Sequence, residues 1–320
     1  MGRFEQWVYG VGVVNARAIT IVLLVAVFVV VSGGGCSLKS RAVDTLADVL
    51  GEGEGVYLSD DDPELIAAAL PFNMKTMETL LETSPNHRGL LLTATKSFIL
   101  YTYAFVEPET RELAYVEFDE AEAVRFRAAR LYRRAYRYGI RGLAVEHPGI
   151  GERLSVSPDE AAAELTLEDV PFAVWSAAAL GGAIGVAIDD PESTADIAVV
   201  GALLERALSL DEDFESGTIH EFLFSYEAGR LGGDVEKARM HYDRALTLGP
   251  SKKPSIWLSW AESVCVAEQN RSEFVRLVQK VIDYNIEAYP EGRLLNILAQ
   301  RRARWLMSRT DELFLTGGQR

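Results

Sequence analysis

The chain has little of what enzyme sites are built from. Cysteine occurs twice in 320 residues, at Cys36 and Cys265, and histidine four times, at His87, His147, His220 and His241. No pair of histidines has the His-Glu-x-x-His spacing, no Gly-x-Ser-x-Gly elbow is present, and no glycine-rich loop ends in Gly-Lys-Ser/Thr. Zinc-peptidase, serine-hydrolase and phosphate-loop chemistry have no carrier in this sequence. No catalytic residue, metal ligand or cofactor is expected, and a binding or interaction protein is the better reading. His220-Glu221 could form an acid–base pair, but opening a helix it reads better as a capping or packing pair.

Basic charge is also scarce. There are 32 Lys+Arg against 47 Asp+Glu, a net charge of −15. Removal of the first 35 residues, which hold Arg3, Glu5 and Arg17, would leave about −16. Such a surface repels nucleic acid and anionic membranes. The Arg-rich stretch Arg125–Arg141, with Tyr132, Tyr136 and Tyr138 interleaved, therefore reads as arginines pairing with neighbouring carboxylates and not as a nucleic-acid patch. With Cys36 set aside, Cys265 has no partner for an intramolecular disulfide. It lies on an apolar helix and reads as a small buried hydrophobe. Asp60-Asp61-Asp62 invites a metal reading, but the EF-hand spacing with its distal Glu is missing. Asp62 as N-cap with Pro63 at the first helical position explains the run better.

What is present begins with the N-terminus. Arg3 and Arg17 precede an apolar run from Ala18 to Val31, and Ser32-Gly33-Gly34-Gly35-Cys36 follows. About 14 apolar residues are too few to span a bilayer and fit the core of a signal peptide. Small residues directly before a cysteine resemble a bacterial lipobox, with Gly33 where Leu is usual. Residues 1–35 are expected to be a lipoprotein signal peptide and Cys36 the lipid-attachment site. An uncleaved anchor followed by a structural cysteine is the alternative.

The rest of the chain is patterned for helices. Phe222, Ser225, Tyr226 and Gly229 fall at i, i+3, i+4, i+7, and Leu231-Gly232-Gly233-Asp234 breaks that helix and caps the next. Ala238, Tyr242, Ala245 and Leu246 follow, and Leu248-Gly249-Pro250 ends the run. The spacing resembles a tetratricopeptide repeat, a helix pair of about 34 residues. Trp257–Val264 with Phe274–Ile282 repeats it. So does Trp175–Gly182 with Val200–Leu208, carrying an insertion around Asp189-Asp190-Pro191. Leu91–Phe98 with Ala128–Tyr136 is a fourth copy with a longer gap, and Met77–Leu81 reads as a lone second helix. Second-helix positions recur at Val200, Ala238 and Phe274, spaced 38 and 36 residues. One helix pair cannot bury its apolar face alone, so the copies must stack. The fold class expected is all-α, with tetratricopeptide-like helical hairpins stacked as a compact α-solenoid. Residues 36–320 are expected to form one domain of about four helix pairs plus flanking helices.

Between these copies, Val43–Leu50 reads as a helix stopped by Gly51-Glu-Gly-Glu-Gly55, and Pro71 as a kink or restart. Leu90–Val106 is apolar on nearly every side. It is either the central helix or a partner surface. Ser157-Pro158-Asp159-Glu160 reads as a capping box. Gly181-Gly182-Ala183-Ile184-Gly185 follows no strand, so it serves close helix approach and not a dinucleotide. The last helix, from Glu291 to about Phe314, reads as the polar-faced cap of a solenoid end.

Four segments together are more specific than the repeat. They are Ser59-Asp-Asp-Asp-Pro-Glu-Leu65 with Ala69-Leu-Pro-Phe72; Asp169-Val-Pro-Phe-Ala-Val-Trp175; Leu231-Gly-Gly-Asp-Val-Glu-Lys-Ala238 leading to Tyr242-Asp-Arg-Ala-Leu246; and Asn296-Ile-Leu-Ala-Gln-Arg-Arg-Ala-Arg-Trp305 with Asp311-Glu-Leu-Phe314. In order and spacing they resemble the T component of tetratricopeptide-associated TRAP transporters. The resemblance covers nearly all of the chain after Cys36. It implies an all-helical lipoprotein facing the periplasm, anchored at Cys36, on the outer membrane in preference to the inner. It further implies association with the P-type solute-binding protein of a TRAP system, and a homotrimer with a central apolar channel that passes a hydrophobic or organic-acid ligand. No short signature names ligand residues. A generic repeat scaffold in cell-envelope assembly is the alternative function.

Overall fold

The computed structural model describes Thr45 and residues 54–113, 117–187, 196–249 and 253–315, with backbone only at 111–113. The expected signal peptide, Cys36, the Val43–Leu50 helix apart from Thr45, and the insertion at Asp189–Pro191 lie outside the described residues. Every regular element among the described residues is helical. The chain is all-α, as its periodicity requires.

Helix α1 (Glu54–Leu58) begins inside the glycine stretch expected to stop a helix. Helix α2 (Pro63–Thr83) is capped as its sequence dictates: the Asp62 carboxylate accepts from the Leu65 amide at 3.0 Å, with Pro63 at the first position. It runs on through Pro71 without a restart. His87 caps α3 (Arg88–Tyr101), its Nδ1 accepting from the Leu90 amide at 3.1 Å. A π-turn over Thr102–Val106 then carries the chain into α4 (Glu107–Leu113). The 29-residue α5 (Phe118–Glu146) is followed by the short α6 (Ile150–Val156) and α7 (Pro158–Ala163).

Ser157 makes no side-chain capping bond to α7. The reciprocal cap lies instead at the start of the next helix, where the Asp169 carboxylate accepts from the Thr166 amide at 3.0 Å and its hydroxyl at 2.9 Å. Helix α8 (Val170–Val186) follows, then α9 (Ile197–Leu210), α10 (Thr218–Gly229) and α11 (Val235–Leu248), the last capped by Asp234. Helices α12 (Ser255–Trp260, prolonged by a π-turn to Cys265), α13 (Arg271–Ile282), α14 (Arg293–Ser308) and α15 (Thr310–Leu313) complete the chain.

Successive helices pack as neighbours: α2 on α3, α3 on α5, α5 on α8, α8 on α9, α9 on α10, α10 on α11, α12 on α13, and α13 on α14. The helix spacing read from the sequence puts its residues where stacking needs them. Ala238, Phe274 and Val278 are fully buried, Trp257 is buried, and Trp175 and Phe222 are half-buried. The apolar excess of α3 goes into this core, with Leu90, Leu91, Ala94 and Phe98 all buried. The Arg88–Thr110 and Leu167–Val186 stretches are long and apolar enough to cross a membrane, yet 56% and 61% of their apolar windows are buried inside the protein. That burial accounts for their composition as core helices.

The last long helix is not a solvent-facing cap. Helix α14 returns against α1 and α2. Leu294 shares a buried cluster with Ile66, Leu70 and Phe98. Arg293 donates to the Ser59 carbonyl at 3.1 Å, and Arg301 pairs with Glu64. Its arginines therefore tie the end of the array to its beginning.

Candidate functional site

Among the described residues a small cleft, open to solvent, is lined by Tyr57 of α1, Leu70 and Asn73 of α2, and Thr93, Lys96, Ser97 and Leu100 of α3. The α3 residues follow the helical repeat i, i+3, i+4, i+7, so one stripe of the helix faces the cleft while its other sides are buried. Most of the lining surface is apolar, and Lys96 is its only charged group.

Lys96 is held from two sides. Its ammonium lies 4.8 Å from the centre of the Trp175 ring, and it pairs with Glu215 at 3.2 Å. Trp175 in turn meets Phe222 edge-on at 5.8 Å, and its indole Nε1 is buried without a hydrogen-bond partner. Glu215 reaches Lys96 from a strained turn. Glu215, Ser216 and Gly217 all have positive φ, at 43°, 58° and 87°. Two side-chain-bearing residues held there cost roughly 1–3 kcal/mol each. The turn is fixed by Lys253, which donates to the Glu215 carbonyl at 3.1 Å and the Thr218 hydroxyl at 2.6 Å. The one cation at the cleft lies on an aromatic face and is ion-paired with Glu215, so an anionic group entering there competes with that carboxylate.

The residues singled out from the sequence lie elsewhere. His220 and His241 are both buried, their Nδ1 atoms 2.8 Å apart. Burial lowers both, His241 to about 4, so both rings are neutral near pH 7 and one donates to the other. Glu221 points to Lys253 at 2.8 Å and forms no pair with its neighbour His220. Burial pushes the Cys265 thiol up to about 11, which leaves it a poor nucleophile. His147 and Arg88 both bond the buried Asp169 carboxylate, each at 2.9 Å. Burial alone would raise Asp169, but the hydrogen bonds from Thr166, His147 and Arg88 outweigh it and bring the carboxyl down to about 2. This node ties the ends of α3, α5 and α8 and is structural. Among the described residues, no three His, Cys, Asp or Glu stand together as metal ligands would.

Phe98 is 1% exposed, so α3 offers no docking surface there. The cleft residues Tyr57, Asn73 and Lys96 escaped sequence reasoning. The signal available was the polar stripe Thr93, Ser97 and Lys96 on an otherwise apolar helix.

Residues 59–314 match the family described as TRAP transporter T-component. The chain belongs to the TRAP transporter T-component family. An uncharacterized protein of Treponema pallidum (strain Nichols) is 29% identical over 307 residues, covering 88% of this chain and 94% of that protein. Membership in the T-component family gives the chain an accessory role in TRAP transport and an association with the cell envelope.

Proposed function

We propose that this T component is a lipoprotein anchored at Cys36, facing the periplasm. There it docks the P-type solute-binding protein of its TRAP system and passes it a ligand that is apolar along its length and anionic at one end. The observation that supports the ligand half of this reading is the α1–α2–α3 cleft, mostly apolar in its lining surface and with Lys96, on the Trp175 face, as its one charged group. A homotrimer with an apolar path, as the family resemblance implies, is part of the same reading. Residues 36–320 are its working domain.

Two measurements test it. Calorimetry of the detergent-solubilised full chain with the purified P-type solute-binding protein of the same organism should show saturable binding. No heat of binding and no co-migration would end the docking reading. Separately, Lys96→Ala should weaken binding of a long-chain carboxylate at least tenfold while leaving the alcohol of the same length unaffected. Equal loss for both would remove the anionic end from the proposal. For the anchor, Cys36→Ala should leave an unprocessed precursor. A variant of unchanged size and membrane partition would contradict lipid attachment at Cys36.

A further inference from the structure

The outer face of α5 carries charge that the fold does not use. Between Arg125 and Arg141 there are seven arginines and no acidic residue, in a chain of net charge −15. The inner face is buried and mostly small, through Ala121, Ala128, Ala135, Gly139 and Gly142, with Tyr132 and Leu143 its larger members. Several of the arginines have structural partners: Arg133 pairs with Asp196 at 3.5 Å, Arg134 with Glu78 at 2.6 Å, Arg127 bonds the Tyr101 hydroxyl at 3.0 Å, and Arg141 the Pro85 carbonyl at 3.0 Å. Arg130 and Arg137 are exposed and have no carboxylate partner among the described residues. They lie seven residues apart, on one face of the helix. Phe126, one turn before Arg130, is 67% exposed, and the Arg130 guanidinium lies 5.8 Å from its ring centre. From Phe126 to Arg137 the ridge runs about 16 Å along the helix.

We infer that this ridge, Phe126, Arg130 and Arg137, is the docking surface for a discrete acidic patch with an apolar centre on the solute-binding protein. This rests on the docking reading above. Exposed aromatic and arginine side chains are the residue types that anchor protein interfaces. Charge complementarity decides the class of partner. With the seven arginines between Arg125 and Arg141 set aside, the rest of the chain is more acidic than the whole. A uniform polyanion, whether bilayer or nucleic acid, would bring like charge against that remainder. A protein patch of the ridge's own size engages the arginines alone. An acidic partner would also be steered to this face, and its association would be salt-sensitive.

The test is the affinity of the full chain in detergent for the purified solute-binding protein, wild type against Arg130→Glu/Arg137→Glu and against Phe126→Ala. Neither arginine is in the core, so the helical circular dichroism and melting temperature should be unchanged. The double variant should bind at least tenfold more weakly, and the steep loss of wild-type affinity with rising salt should flatten. Phe126→Ala should weaken binding without changing the salt slope. Wild-type binding that survives charge reversal overturns the ridge and leaves the docking reading standing. Absence of wild-type binding overturns both. If the double variant keeps its affinity for the solute-binding protein but loses a preference for phosphatidylglycerol over phosphatidylcholine vesicles, the ridge belongs to a membrane. If it keeps that affinity but sediments as a smaller species, the ridge belongs to a second copy of the chain. Either result overturns the inference.

Discussion

Helix α5 meets α8 through glycine, whereas α10, α11 and α12 meet through aromatic rings. At the first crossing, a Cβ on Gly142 would run into the Phe172 ring, one on Gly139 into Ser176, and one on Gly182 into the Tyr132 ring at 2.8 Å. The space between these helices is closed by removing side chains until backbone and ring touch. In the C-terminal region, Trp260 stacks on Phe224 at 5.7 Å and meets Tyr242 at 4.5 Å, and the Arg239 guanidinium lies 4.7 Å from its ring centre. There the gap is filled by the largest side chains available. The first solution fixes helix separation rigidly and tolerates no added atom. The second leaves a large hole when an atom is taken away.

That contrast can be broken by substitution. Trp260→Ala should be the most damaging, at roughly 3–5 kcal/mol, because the aromatic stack cannot collapse into the space left. Chemical denaturation of the purified protein would measure it, and a loss below about 1 kcal/mol would show the stack to be loosely packed. Gly142→Ala should cost about 1–3 kcal/mol although it adds one methyl group, because the Phe172 ring must move within a filled core. A neutral result would mean that the α5–α8 crossing is not set by its glycines.

The two regions also differ in acid sensitivity. In the C-terminal region, His220 and His241 are lowered below the ordinary 6.5, His241 to about 4. The unfolded chain therefore binds more protons than the folded one in that interval. Stability should fall as pH drops from 6.5 toward 4, and His241→Gln should flatten melting temperature against pH there. In the N-terminal region Asp169 is lowered from 3.8 to about 2. Its contribution, roughly 2 kcal/mol, is present above pH 3.8 and lost as pH falls toward 2. Asp169→Asn should remove that lower window and leave the upper one intact. A single acid transition unaffected by either variant would show that other groups control it.

The smallest effect should come from a glycine with room. Nothing lies within 4 Å of a Cβ placed on Gly185, near the end of α8. Gly185→Ala should stabilise by about 0.5–1 kcal/mol through helix propensity alone, read as a raised melting temperature. A loss there would mean that the helix end needs glycine for a reason other than space.

The helices of α8–α13 were legible because each hairpin keeps its partner within about one repeat length, so periodicity names both the helix and its neighbour. The caps at Asp62 and Asp234 were legible for the same local reason. The Ser157 box did not form, and the cap that did, at Asp169, depends on His147 and Arg88, partners that local spacing does not name. The arginines of α5 read as solvated pairs, and the fold supplies carboxylate partners for Arg133 and Arg134 but none for Arg130 or Arg137 among the described residues.

What the sequence by itself determined is an all-α chain, the faces its helices bury, and its family, because these follow from spacing within short windows. What the tertiary structure decided is where those faces go. Lys96 and Glu215 are 119 residues apart, and Arg301 and Glu64 are 237 apart. No periodicity links such residues. A helical repeat fixes which side of a helix is apolar, while the partner of that side is chosen by packing. Packing alone brought α14 back to α2, placed Lys96 on the Trp175 ring, and left one ridge of arginines facing outward.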